Sequence, residues 1–234
     1  MYNKKVCYFV ICIIVFFIIS KYSGYFSFEF LTPIITFPFK NRFKLYNSKN
    51  KLISNIFHEP IEQALIAKYL KKTDSVLELG GNIGGASILI DKIVEKHHVV
   101  FEPSDKMVKF LEKNKKYHNC KYKIIDGILS KSKKMYLHGS GLGLYISPKI
   151  SNRKVKTFLF EPLNKQYNFT TLIADCEGSL VQIFNDFPTI FDNMRLVIFE
   201  KDGHCDYNII TDKLKKLKFK NVVNTFHDVW VKDN

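Results

Sequence analysis

The sequence predicts an α/β fold: a Rossmann-like sheet, mostly parallel with a C-terminal antiparallel hairpin, covered by helices on both faces and preceded by a hydrophobic N-terminal helix. Three observations carry this. From about residue 51, short apolar runs of strand length alternate with segments of helical period, the pattern of parallel strands joined by crossover helices. The first of these runs exits into Gly80-Gly81-Asn82-Ile83-Gly84. The last two runs follow each other with mainly polar residues between them, as a hairpin would.

At the N-terminus, Lys4 and Lys5 precede an uncharged run from Val6 to Ile19, closed by Ser20-Lys21. Its 14 residues fall short of the ~20 that cross a bilayer core, yet no small-residue cleavage site follows and aromatic character resumes from Tyr22 to Phe39. Residues 1–21 are therefore read as an uncleaved signal-anchor giving a membrane-tethered chain of undetermined orientation, with a cleaved signal or a buried helix as alternatives. Residues 22–50, interrupted by Pro33, Pro38, Asn41, Asn47, Ser48 and Asn50, read as a stem or connecting arm, and residues 51–234 as the catalytic domain.

Within that domain Pro60 opens a helix bearing Ile61, Ala64, Leu65 and Tyr69. Val76–Leu79 is the first strand, and a second helix runs from Ala86 to Val94. The strand His98–Phe101 ends at Glu102-Pro103-Ser104, where Ser104 is placed to cap a helix presenting Met107, Phe110 and Leu111. Lys123-Ile124-Ile125 is a third strand, stopped by Asp126-Gly127. After a less regular stretch, Leu172-Ile173-Ala174 leads into Asp175-Cys176-Glu177-Gly178 and a helix with Leu180, Ile183, Phe184 and Phe187. Leu196–Phe199 ends at Glu200, a lysine-rich helix carries Ile210, Leu214 and Leu217, and 221–223 and 229–231 form the closing hairpin.

Composition narrows the function. Lys and Arg number 36 against 22 acids, a formal charge of +14, but only Arg42, Arg153 and Arg195 are arginines. Scattered lysine without arginine forks argues against a nucleic-acid face. The five cysteines, Cys7, Cys12, Cys120, Cys176 and Cys205, show no zinc spacing, and at most one bridge among the last three is open. No cofactor metal is expected, although Asp175, Glu177 and Glu200 are oxygen ligands of the kind that could hold magnesium.

The loop Glu78-Leu79-Gly80-Gly81-Asn82-Ile83-Gly84 has the form E-x-G-x-x-x-G and misses the dinucleotide fingerprint G-x-G-x-x-G in either register. Glu102 closes the next strand, 18 residues beyond Gly84, where a carboxylate can accept both hydroxyls of a ribose. Glu78 and Asp175 would favour a cation near the loop and repel a pyrophosphate. A nucleoside bearing a cation and no phosphate is S-adenosyl-L-methionine.

On these residues the domain resembles the FkbM family of class I S-adenosylmethionine-dependent methyltransferases. The resemblance rests on Val76–Gly84, on Phe101-Glu102-Pro103-Ser104 with Leu111 and Asn114 following, on Asp175-Cys176-Glu177-Gly178 and on Ile198-Phe199-Glu200. Glu78 stands for the family's usual Asp and Gly81 for its Ala, and the stretch between Lys131 and Thr170 does not match. The resemblance implies O-methylation of a hydroxyl on a sugar or other small metabolite. It implies Glu78, Gly80, Gly81, Asn82, Gly84, Glu102, Pro103, Ser104, Asp126 and Gly127 as cofactor contacts, and Asp175, Glu177 and Glu200 as the groups that orient the acceptor or take its proton. His204, just past Glu200, is a further candidate base. A non-catalytic scaffold of the same fold and a lumenal glycosyltransferase are the competing readings.

Overall fold

The computed structural model describes residues 42–139 and 144–232. The signal-anchor reading and residues 22–41 of the arm lie outside the described residues, among which no helix is long and apolar enough to cross a membrane.

Strands β1 (Lys44–Tyr46) and β2 (Leu52–Ser54) form an antiparallel hairpin, followed by a short 3₁₀ turn at Asn55–Phe57. This corrects the expected arm. Leu45 is completely buried, and the polar residues read as interruptions make the turn, with the Asn47 carboxamide accepting the N–H groups of Lys49 and Lys51. The domain thus begins before residue 51.

The chain continues through α1 (Pro60–Tyr69), β3 (Val76–Leu79), α2 (Gly85–Ile93), β4 (His98–Glu102), α3 (Asp105–Tyr117) and β5 (Lys123–Asp126). The stretch of low regularity holds four short strands, β6 (Ile128–Leu129), β7 (Tyr136–His138), β8 (Tyr145–Ser147) and β9 (Thr157–Phe158). Then come α4 (Phe160–Tyr167), β10 (Thr171–Ala174), α5 (Ser179–Asp186), β11 (Leu196–Glu200), α6 (Asn208–Lys216), β12 (Lys220–Asn224) and β13 (His227–Val231).

Seven strands make the central sheet in the order β12-β13-β11-β10-β3-β4-β5. The five from β11 to β5 are parallel, and β13 runs antiparallel to both β11 and β12. This is the Rossmann-like arrangement expected, with its edge closed by a hairpin. One face buries Leu77, Val99, Leu172 and Val197 under Phe184, Phe187 and Leu214. The other buries Val76, Ile173, Ile198 and Val229 under Leu65, Ile66, Leu89 and Ile90 of α1 and α2. Because both faces are covered, β3 and β10 are buried at every position and read as continuous apolar runs, Glu78 excepted.

The chain leaves β3 toward β4 and β5 on one side and returns to β10 and β11 on the other. The strand order therefore reverses between β3 and β10, and a crevice is expected beyond their carboxyl ends. Gly80 and Asp175, the residues directly after these strands, meet there.

Candidate functional site

The loop after β3 bends sharply, with Gly80 at φ +94° and Gly84 at φ +95°. A side chain at Gly80 is excluded, since its Cβ would lie 1.7 Å from the Asp175 carbonyl oxygen. The bend brings the exits of β3 and β10 into contact. At Gly81 a Cβ would press on Val100 and Leu111 at 2.5 and 2.9 Å.

Asn82 adopts the left-handed conformation, φ 45°, and joins two carboxylates. Its backbone N–H donates to Glu102 Oε2 at 2.8 Å, and its Nδ2 donates to Glu59 Oε1 at 3.1 Å. The other Glu102 oxygen accepts the N–H of Ser104 at 2.8 Å. Ser104 sits at the N-terminus of α3 but makes no side-chain cap, contrary to expectation; its contribution is this backbone donor. Glu102 is buried, which pushes its carboxyl up to about 7 against the two N–H donors that hold it down. Each of its oxygens keeps a second lone pair for a ligand hydroxyl.

Two expected contacts behave differently. Glu78 lies buried inside β3, with Oε1 accepting from Ser87 at 2.8 Å and Oε2 2.7 Å from His98 Nε2. Both oxygens are used within the sheet and α2, so it buttresses the loop from beneath. Asp126 is engaged by Lys156 Nζ at 2.5 Å at the surface, while Gly127, φ +151°, donates its N–H to the Glu102 carbonyl.

On the α1 face, the carboxyl ends of β10 and β11 carry Asp175 and Glu200, with His227 of β13 paired opposite Glu200. Asp175, Glu59 and Glu62 approach so closely that one carboxylate oxygen of each lies within 4.8 Å of the others. Burial, then Glu59 and Glu200, pushes the Asp175 carboxyl up to about 9. Glu62 is raised well above its usual range by burial and by Asp175. Burial also raises Glu177, reinforced by Asp202 and Glu200 and opposed by His204. His227 is buried with Nδ1 unpartnered, and burial lowers its pKa. Like charges gathered out of water favour protonation until a cation arrives.

Glu59 and Glu62 were not singled out from the sequence. Their signal was Glu59-Pro60 immediately before a helix with a second acid in its first turn, which topology alone aims at the strand ends. Glu59 and Glu177 are both left-handed, φ 49° and 51°, a conformation uncommon for glutamate. Glu177 does not cap α5, since Gly178 holds that position. A Cβ on Gly178 would lie 2.4 Å from Cys205 Sγ and 3.0 Å from His204 Nε2, so this glycine lets the loop after β11 close over the loop after β10. Cys120, Cys176 and Cys205 are all free thiols.

A cavity of about 460 Å³ opens beside Glu177 and Gly178 and extends to Ile128 and Ile146; none of Gly80, Asn82 or Glu102 lines it.

No protein-family model matches the sequence, and no curated protein is significantly similar to it. Solved structures of similar shape include a Streptococcus pneumoniae protein, 15% identical. In one crystal structure the match covers 71% of this chain and 66% of that one, TM-score 0.45. In a second, in complex with S-adenosyl-L-methionine, it covers 72% and 70%, TM-score 0.46. A precorrin-6y C5,15-methyltransferase from Geobacter metallireducens is 9% identical over 74% of this chain and 88% of its own, TM-score 0.48. The ribosomal protein L11 methylase of Lactobacillus delbrueckii is 14% identical over 74% and 78%, TM-score 0.45. With every score below 0.5, the chemistry of this protein is read from its own residues.

Proposed function

We propose that this protein is an S-adenosylmethionine-dependent methyltransferase acting on a hydroxyl of a small molecule, as its resemblance to the FkbM family implies. The observation that carries the reading is the Asn82 junction. One residue of the glycine loop ties Glu102, a diol acceptor, to Glu59, part of a carboxylate group suited to positive charge. The donor set fits the proposed cofactor at both ends, since Glu102 offers lone pairs to ribose hydroxyls and Glu59, Glu62 and Asp175 balance an ammonium or sulfonium. A diphosphate would meet the same carboxylates as like charges, which counts against a nucleotide-sugar donor.

S-adenosylmethionine, when bound, supplies a methyl group on a cationic sulfur, and its transfer to an alcohol releases one proton. Glu177 and His204 are placed beside the cavity to receive a hydroxyl and its proton. Glu102 and the Gly80–Gly84 backbone hold the nucleoside end. Asp175, pushed up to about 9, is protonated in the free chain at neutral pH, burial and Asp175 raise Glu62 as well, and both become acceptors once a neighbouring positive charge draws their pKa down. The apolar run Val6–Ile19 supports a membrane tether, which co-sedimentation with phospholipid vesicles, with and without residues 1–21, tests.

Titration calorimetry tests the assignment. S-adenosylmethionine is expected to bind at one site, and NAD⁺ at the same concentrations to give no heat. Binding of the dinucleotide in preference would reject the assignment. A non-catalytic scaffold would bind the cofactor weakly and be unaffected by Glu177→Ala.

A further inference from the structure

The cavity beside Glu177 has an uneven chemistry. Its walls are Ile128, Leu129, Met135, Leu144, Ile146 and Ile183, contributed by the region between β5 and α4 and by α5. Two of its polar residues are already committed. Ser130 Oγ donates to Asp186 at 2.8 Å, and Gln182 Nε2 donates to the same carboxylate at 3.2 Å. Of the remaining polar groups, Glu177 and His204 belong to the loops after β10 and β11, Ser179 opens α5, and Tyr145 of β8 brings a phenol whose ring stacks on His138. Glu177, two residues beyond Asp175, gathers with Ser179 and His204 at one end, and apart from the Tyr145 hydroxyl and the committed Ser130 and Gln182 the rest of the surface is hydrocarbon and sulfur.

A sugar is a poor occupant of such a space. Several of its hydroxyls would be buried against isoleucine, leucine and methionine without partners, and each unpaired hydroxyl weakens binding. A molecule with one polar end matches, and the volume is that of a small-ligand site. We propose that this cavity is the acceptor pocket and that the acceptor is a largely apolar molecule carrying a hydroxyl at one end, either a phenol with an alkyl substituent or a medium-chain alcohol. The hydroxyl lies at Glu177 and His204, and the apolar body lies along Ile128, Met135 and Ile146. This narrows the sugar-or-metabolite expectation of the sequence. The role as acceptor rests on the methyltransferase reading, whereas the ligand class rests on the cavity alone.

The test is binding, read without turnover. The full chain is titrated in a calorimeter with 4-hexylphenol, with octan-1-ol and with methyl α-glucoside, and separately with S-adenosylmethionine. The expected result is saturable 1:1 binding of 4-hexylphenol or octan-1-ol, whichever body the pocket fits, and no heat from the glucoside. Ile146→Trp and, as a second variant, Ile128→Trp fill the cavity and should weaken the apolar ligand at least 10-fold. S-adenosylmethionine affinity and Tm should stay unchanged in whichever variant folds. Binding of the glucoside in preference, or apolar binding untouched by both substitutions, overturns the proposal. If the apolar probe binds and S-adenosylmethionine does not, the pocket stands and the methyltransferase reading falls. If the cofactor alone binds, the reverse holds.

Discussion

Asn82 shows how much one side chain arranges here. Its left-handed backbone aims one N–H at Glu102 while its carboxamide reaches Glu59, so the two carboxylates are tied to one residue of the loop. Replacing Glu102 by Gln keeps the size and removes the charge that accepts the ribose hydroxyls. S-adenosylmethionine affinity should fall by roughly 10- to 100-fold, the value of charge-assisted hydrogen bonds, and the melting temperature should drop as well, because the new NH2 faces the N–H of Asn82 or of Ser104. Calorimetry of the variant checks this. Affinity for the cationic cofactor should also rise with pH between about 6 and 9, because Glu102 loses its proton near 7 and Asp175 near 9. Binding isotherms across that range should show the rise, and Asp175→Asn should flatten its upper half. Glu102 was legible because spacing from a glycine loop is a local signal. Glu59, Glu62 and His227 were not, because only the sheet order brings the start of α1 and the start of β13 to the end of β10. The partners of Glu78 were not legible either, because a carboxylate at a strand end looks the same in sequence whether it faces a crevice or a buried serine and histidine.

Among the elements, the β1–β2 hairpin is one the sequence concealed. Its strands are three residues each, too short for a clear alternation, and what fixes them is distant. The Asn114 side chain of α3 accepts from the Tyr46 N–H at 2.7 Å and donates to the Tyr46 and Ile83 carbonyls at 2.8 Å. Asn114 thereby ties the hairpin to the glycine loop. Leu45→Ala should cost about 2–4 kcal/mol, as for other fully buried leucines, and thermal denaturation should show a Tm roughly 5–15 °C lower. A solvated arm would tolerate the same change. The long strands and the helices other than α4, by contrast, were readable to within a few residues, whereas α4 (Phe160–Tyr167) lies in the stretch of low regularity. Burial on both faces makes β3, β4, β10 and β11 predominantly apolar, with polar residues at Glu78, Thr171 and the strand ends His98, Glu102 and Glu200, and the helices α1, α2, α3, α5 and α6 keep a helical period. Strands β6 to β9 escaped because two- and three-residue strands carry no period.

Across the whole molecule the two ends of the sheet are built for opposite purposes. Below β3, the guanidinium of Arg195 grips Asp74, its Nε donating to Oδ1 at 2.6 Å, and also donates to the Tyr69 carbonyl, joining α1 and the entries to β3 and β11. Asp74 is buried, so Asp74→Ala should strand a guanidinium and cost about 3–5 kcal/mol, measurable by urea denaturation. At the other end, Glu62, Asp175 and Glu102 have folded pKa values above those of the unfolded chain. Such groups add stability below their unfolded values near 4, and that stability is lost as pH rises through the folded values. The ligand-free protein should therefore lose Tm between about pH 5 and 9, and S-adenosylmethionine should restore most of it at the alkaline end. Asp175→Asn should lessen the loss, which a melting series over that range would detect.

The most direct measurement is a crystal structure of the protein with S-adenosylhomocysteine, the demethylated cofactor. The ribose hydroxyls should lie within hydrogen-bond distance of Glu102 and the amino group among Glu59, Glu62 and Asp175. A ligand bound elsewhere, with Glu102 still sealed by Asn82 and Ser104 alone, would contradict the account.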